Sequence, residues 1–412
     1  MTILMCVNYA PAFIDSTNVN EGWVSGILNS LLQNEDISII LAYPGSNGSK
    51  INYLCDNLMC LEYHYDIKKS NTETAELLSS TIRSNNVDVI HIMGTEFPHS
   101  LFIFEICKEL RLQSRVVVSI QGLVSFCAPH YHEGVPSKYC YGMTISEWYH
   151  GFDSLNKQQS EFTKRGQHEL KLLSEVQNVI GRTAWDKKVV QSYNPAVRYF
   201  HNGENLRDAF YGGQKWDISK CDKHSIFVSQ AYYPLKGLHH LLGVLPRVVS
   251  DYPDTRVYVG GFNPISDTPI KRDSYGRYLA SLIRKGSLEG KVVFCGKLEE
   301  KKMLDRYLKC HVFVSPSNIE NSSNSIGEAL ILGVPLVASD SGGTGSIVND
   351  GIDGLLYPLT NPGLMADHIL RVFNDDSLAL ELSRNAVIRG QMIHDRDKNT
   401  SDLLNIYREI TL

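Results

Sequence analysis

Two glutamates, Glu320 and Glu328, bracket seven residues, five of which are Asn or Ser, in the stretch SNIENSSNSIGEALILGVPLVASDSGG (317–343). Small polar side chains between paired carboxylates, just ahead of an apolar run, could grip a polyol and an anion together. A carboxylate accepts hydrogen bonds from a sugar diol, as the acidic residue of dinucleotide-binding folds does. The amides of Ser325, Ile326 and Gly327, at the start of a helix that follows a strand, suit a phosphate or diphosphate. A plainer account competes for Glu328. The residues SIGE, Ser325–Glu328, spell a capping box, and a glutamate in a first helical turn is favoured by the helix dipole whatever the function.

These groups need a scaffold. Apolar segments such as TILMCVNY, DISIILAYP, VDVIHIMG, RVVVSIQG and VQNVIGRT alternate with amphipathic stretches in the first half, which predicts buried parallel strands joined by helices. The rhythm restarts after YFHNGENLRDAFYGGQKWD, read as a linker, with HSIFVSQA, TRVYVGGF, KVVFCGKL, CHVFVSPS and VPLVASDSGG. The expected architecture is α/β, two tandem Rossmann-like doubly wound domains with a cleft between them. Ligands in such sheets bind beyond the carboxyl ends of the strands. We expect an N-terminal domain over 1–205, a second over 206–389, and a C-terminal helix of about 390–412 returning to the first.

Composition narrows the class. The chain has 412 residues, 43% hydrophobic and 21% charged, with a net charge of −5, which suits a soluble two-domain protein and offers nothing for nucleic acid. Its nine cysteines are scattered without C-x-x-C spacing, which suggests buried free thiols in a reducing cytoplasm. The opening MTILMCVNYAPAF reads as a strand rather than a signal peptide. No apolar run is long enough to span a bilayer.

The second half resembles the retaining GT-B-fold glycosyltransferases of family 4, whose hallmark is E-x7-E at the place of Glu320 and Glu328. VVFCGKL, CHVFVSPS, EALILGVPLVASDSGG and DGIDGLLYP follow that family in order, and VSQAYYPLKGLHHLL resembles its Lys-Gly segment. The resemblance implies a donor site of Lys236, Glu320, Asn324, Ser325, Ile326, Gly327 and Glu328, with Lys236 on the diphosphate and Glu320 and Lys236 as the catalytic pair. The chain departs from the family's pattern at Ala231, Ser346 and Glu320–Ser323, where Arg, Glu and EGFG are common, so Arg272 or Arg182 is a candidate second cation. On the acceptor side the resemblance points to Gly22 in NVNEGW and to Gln121 where relatives carry histidine. His91, His130 with His132, Arg182 and Asn202 are further candidates from their positions at predicted strand ends and loops.

The function implied is metal-independent transfer of a sugar, with retention, from a nucleotide-diphosphate sugar, a uridine donor ahead of a guanosine one, to a hydroxyl of a saccharide or lipid-linked saccharide. No cofactor is required. The setting is bacterial surface polysaccharide or glycoconjugate synthesis, in the cytoplasm, with room for peripheral contact with the inner face of the membrane. Two other readings stay open: a two-lobed nucleotide-sugar binding protein that has lost catalysis, and a glycoside hydrolase using the glutamate pair. The D-x-D of Asp395 and Asp397 reads as a charge cluster, not a metal site.

Overall fold

The structure, a computed structural model, describes residues 1–11, 14, 22–45, 49–149, 153–265 and 268–412. Two compact units emerge: Met1–Ser125 with Lys164–Arg207 and His394–Leu412, and Phe126–Thr163 with Asp208–Ile393.

The first unit holds strands β1 (Thr2–Cys6), β2 (Ser38–Pro44), β3 (Lys50–Cys55), β4 (Leu58–Tyr63), β5 (Val89–Met93), β6 (Val116–Ser119), β7 (Asn178–Gly181) and β8 (Arg198–His201). They form one eight-stranded sheet in the order β3-β4-β2-β1-β5-β6-β7-β8. Pairing is parallel throughout except between β3 and β4. Ile3, Leu4 and Met5 of β1 are fully buried, as a strand covered on both faces requires. The terminal helix Arg396–Thr411 packs Leu403, Tyr407 and Ile410 into the core with Ile3, Met5 and Val24.

The second unit holds β9 (Asp222–Val228), β10 (Arg256–Gly260), β11 (Val292–Gly296), β12 (Cys310–Ser315), β13 (Leu336–Ser339) and β14 (Leu355–Tyr357). Their order is β11-β10-β9-β12-β13-β14, all parallel. Both sheets are the doubly wound type expected.

The units differ from the expected domain limits in one segment, since residues 126–163 group with the second. The expected linker also begins too early. Tyr199–His201 belongs to β8, an edge strand whose polar, part-exposed residues give no apolar run to read. In the β3–β4 hairpin, β3 escaped for a similar reason, because every one of its residues is exposed.

Among the described residues five histidines are held neutral by burial, which shapes the response to acid. Burial lowers His91 and His239 to about 3, and His99, His311 and His394 to about 4, with nearby cations adding to the effect for His91, His311 and His394 and the neighbouring His240 for His239. Folded pKa values below the unfolded value mean stability that is present above about pH 6.5 and lost as pH falls toward 4. Each such proton costs about 1.4 kcal/mol per pH unit once the unfolded chain is protonated. Glu169, which burial raises to about 7, opposes this by gaining stability over the same range, as do Glu96 and Asp273, which burial also raises, but the five histidines outnumber these three carboxylates. A calorimetric Tm is expected to fall steeply from pH 7 to pH 5; an unchanged Tm contradicts the assignment.

Candidate functional site

In the second unit, β12 ends in the loop Pro316–Ser323 and the helix Asn324–Leu332 begins with Ser323 as N-cap. Ser323 makes no side-chain cap bond, and its carbonyl accepts from the amides of Ile326 at 3.0 Å and Gly327 at 3.1 Å. The capping box expected from SIGE is therefore absent. Ser325 lies inside the helix, where its hydroxyl accepts from Ser229 Oγ at 2.8 Å, and Glu328 is the fifth helical residue, only 4% exposed. The dipole-only account of Glu328 loses its geometric basis, because the effect fades within the first turn. The helix start leaves the amides of Asn324 and Ser325 as the ones to meet an anion, since those of Ile326 and Gly327 already have a partner.

Glu320 sits earlier in the same loop. Its Oε1 accepts from Lys236 Nζ at 2.6 Å and from Ser317 Oγ at 2.7 Å. The pair is half-buried, and among the described residues no hydrogen bond to Glu320 Oε2 is made. Burial by itself penalises the Lys236 ammonium, but the Glu320 carboxylate, then Tyr233, outweigh it and hold the lysine pKa above its ordinary value. Lys236 thus keeps its charge across the neutral range.

Backbone geometry fixes both residues. Lys236 ends the short turn Pro234–Lys236, and Gly237 follows at φ +69, N-capping the helix Leu238–Asp251. A Cβ on Gly237 would lie 1.7 Å from the Pro316 carbonyl oxygen. Glu320 is held from behind, since the Gly343 amide donates to its carbonyl at 2.8 Å. Gly342, at φ +59, approaches so closely that a Cβ would come within 2.2 Å of that oxygen. Asn318 ties the loop down further, with its amide nitrogen on Leu235 O, its Oδ1 facing His240 Nε2 and its Nδ2 on His130 O.

These groups line a small polar cavity at the carboxyl ends of β9 and β12, with Ser229, Gln230, Ser317, Ser323 and Ser325 around Lys236 and Glu320. Lys236 is the one basic side chain among the described residues that line it. Ala231, which stands where the family that the second half resembles commonly has Arg, is fully buried. Glu328 and Arg272 are not on this cavity wall; Arg272 lines a groove on the helix Ser274–Lys285 instead. Among the described residues no group of three or more His, Cys, Asp or Glu is placed to hold a metal. Asp395 of the D-x-D caps the helix Arg396–Thr411 by accepting from Lys398 N at 2.9 Å.

The first unit gathers its polar groups differently from the expectation. His91 lies in the middle of β5, 1% exposed, bridging Tyr407 Oη and Ser119 Oγ at 2.6 Å each. It is a buried tie, not a group at the strand end. Arg182 is gripped at both terminal guanidinium nitrogens by buried Glu204, at 2.7 and 2.8 Å. Asn202 is buried beside Leu31 and Leu403. Gly22 opens the helix Gly22–Leu32, and residues 15–21 before it lie outside the described ones. His130 falls in the second unit, its ring paired with Glu133 on the surface.

Gln121 remains at the carboxyl end of β6, its buried Nε2 without a hydrogen-bond partner. Beside it stands a group the sequence did not single out. Glu96 accepts from the Gly122 amide at 3.1 Å and from Asn8 Nδ2 at 3.5 Å, across the carboxyl ends of β1, β5 and β6. Burial raises its pKa, opposed by those bonds and by Arg165. The only signal was a carboxylate three residues past an apolar strand.

Residues 222–375 match the family described as glycosyl transferases group 1. YtcC of Bacillus subtilis (strain 168), named as a glycosyltransferase, is 24% identical over 315 residues, 76% of this chain and 70% of that protein. The D-inositol 3-phosphate glycosyltransferase of Acidothermus cellulolyticus is 28% identical over 181 residues, 43% of this chain and only 39% of its own length. Among solved structures, sucrose-phosphate synthase from Thermosynechococcus elongatus aligns with a TM-score of 0.73 at 16% identity, over 99% of this chain and 98% of that one. Anabaena HepE, solved with UDP and glucose, aligns at 0.68 and 15% identity over 98% of each chain.

Proposed function

We propose that this chain, a GT-B-fold glycosyltransferase of family 4 by its match over residues 222–375, moves a sugar from a uridine diphosphate sugar to an acceptor hydroxyl with retention. The observation that carries the proposal is the Lys236–Glu320 pair beside the free amides of the helix Asn324–Leu332. A cation held charged next to a helix N-terminus suits a diphosphate. Uridine is the base we favour because HepE, of the same fold, was solved with UDP and glucose.

In this reading the donor diphosphate lies against Lys236 and the amides of Asn324 and Ser325, while Glu320 Oε2 accepts from sugar hydroxyls. The bond from the anomeric carbon to the diphosphate oxygen breaks, and the bond to the acceptor oxygen forms on the same face. The acceptor proton passes to the leaving diphosphate. Positioning and charge stabilisation do the work, and no metal is called on. The acceptor is proposed to be a saccharide or lipid-linked saccharide of a bacterial surface glycoconjugate, met in the cytoplasm at the inner face of the membrane. Glu320 paired with an ammonium is far from the apolar setting a hydrolytic general acid needs, so the hydrolase reading is set aside.

Proton NMR of the product made from a uridine diphosphate sugar tests the proposal, with an α-linked product expected from an α-linked donor. Inversion, or release of sugar from a simple glycoside without nucleotide, would refute it. Glu328, buried and not on the wall of that cavity, is proposed to accept from the ribose diol of the donor, as the E-x7-E spacing implies. Glu328→Ala is therefore expected to raise the donor KM roughly tenfold or more, the order of one lost charge-assisted hydrogen bond, with a smaller change in kcat. An unchanged KM removes Glu328 from the donor site.

A further inference from the structure

The second unit carries a cluster of exposed apolar side chains. The segment around the short helix Ile145–Tyr149 presents Ile145, Trp148 and Tyr149, at 58%, 61% and 79% exposure, on one helical face by their i, i+3, i+4 spacing. Tyr141, Met143 and Ile270 are also more than half exposed. Single exposed apolar residues need no explanation, but a cluster holding a Trp and two Tyr does.

The cluster is held in place rather than loose. Glu147, on the opposite side of the helix and 2% exposed, accepts from the Ser274 amide at 3.0 Å and from Ser274 Oγ at 2.9 Å. The helix packs on the turn Pro269–Lys271, and Tyr139 lies 5.0 Å from Tyr278 ring to ring. A buried carboxylate that takes both Ser274 donors and the Thr144 amide thus locks the outward stripe against the helix Ser274–Lys285.

That second helix supplies charge beside the stripe. Arg277, Ala280, Ser281 and Arg284 recur at i, i+3, i+4 and i+7, so two arginines flank a floor of small residues. With Tyr139 and Ile270 they line an open groove of about 690 Å³. Among the described residues Glu289 is the one acid on its wall, and neighbouring Asp273 is turned inward as the N-cap, accepting from the Gly276 amide at 2.6 Å. Lys271 ends the turn Pro269–Lys271 and Lys285 ends the helix Ser274–Lys285. The chain carries a net charge of −5, so this basic face is local.

We infer that this face of the second unit docks on an anionic phospholipid bilayer. Trp and Tyr favour the headgroup level, where an apolar ring and a polar tip are both satisfied. Arginines in an adjacent groove meet lipid phosphates with bidentate geometry. The inference deepens the reading above, because a lipid-linked acceptor would be presented at that surface.

The test is flotation of the full chain with phosphatidylcholine vesicles, with and without phosphatidylglycerol. The wild type is expected to float only with the anionic vesicles, and less as salt rises. Trp148→Ser/Tyr149→Ser is expected to abolish flotation. Arg277→Gln/Arg284→Gln is expected to weaken it roughly 30-fold, two basic residues' worth of surface attraction. Both variants should bind UDP as the wild type does, which shows that they fold. A wild type that stays unbound, or variants that float undiminished, overturns the proposal. A wild-type dimer dissolved by both variants, with no flotation, gives the face to a second copy and overturns it too. Flotation that depends on these residues in a protein that binds no UDP supports this surface and removes only the donor assignment.

Discussion

Lys236→Ala is expected to lower kcat by about 10²–10³, the loss of about 2.7–4 kcal/mol of charge stabilisation on a leaving group. Lys236 is the one basic side chain among the described residues that line the cavity, and Ala231 supplies no second cation, so no neighbour stands ready to replace it. The ammonium is already held charged by Glu320, at 2.6 Å, and needs little reorganisation when the diphosphate departs. Steady-state kinetics with a uridine diphosphate sugar reads the effect, which should fall on kcat more than on KM. Truncating a half-buried lysine leaves Ser317 still bonded to Glu320, so the fold should persist and an unchanged Tm would accompany the lost turnover. Equal turnover in wild type and variant would remove Lys236 from the chemistry.

The second large effect is expected at Gly237, which touches no substrate in this account. An alanine there must hold φ at +69 and place its Cβ 1.7 Å from the Pro316 carbonyl. The left-handed backbone alone costs roughly 1–2 kcal/mol for a residue with a Cβ. The clash is with backbone, which cannot rotate away, so the loops carrying Lys236 and Glu320 must part. Gly237→Ala is expected to lose at least about 2 kcal/mol of stability and most nucleotide affinity. Gly213→Ala is the control, because Gly213 has φ +80 but nothing within 4 Å of the added carbon. Urea unfolding of the two variants separates the conformational cost from the clash. Equal stability and equal nucleotide binding would show that the Gly237 contact does not position the site.

Much of this was legible in the chain. Strands such as β1 and β12 announce themselves because parallel strands covered on both faces are apolar throughout. Lys236 and Glu320 were singled out by resemblance to a family motif, and their side chains meet at 2.6 Å. What the chain could not display is partnership across distance. Spacing alone made Ser325 a cap, whereas the helix begins at Ser323 and Ser325 bonds to Ser229, 96 residues away. His91 looked like a strand-end ligand until Tyr407, 316 residues on, proved to share its ring nitrogen. Arg182 read as a spare cation because nothing local betrays its grip on Glu204. Glu96 went unmarked because its bonds reach to Asn8 and Gly122, in the loops that follow β1 and β6. Edge strands β3 and β8 were missed because an exposed strand has no apolar signature to read.

The central claim is that the loops around Lys236 and Glu320 form a metal-independent nucleotide-sugar donor site. Calorimetric titration of UDP in EDTA, into the wild type and into Glu328→Ala, tests it most directly. The account predicts saturable one-site binding to the wild type and a loss of roughly tenfold or more in the variant, about 1.4 kcal/mol. No binding of UDP, GDP, ADP or CDP to the wild type, or binding that appears only with added metal, would contradict it.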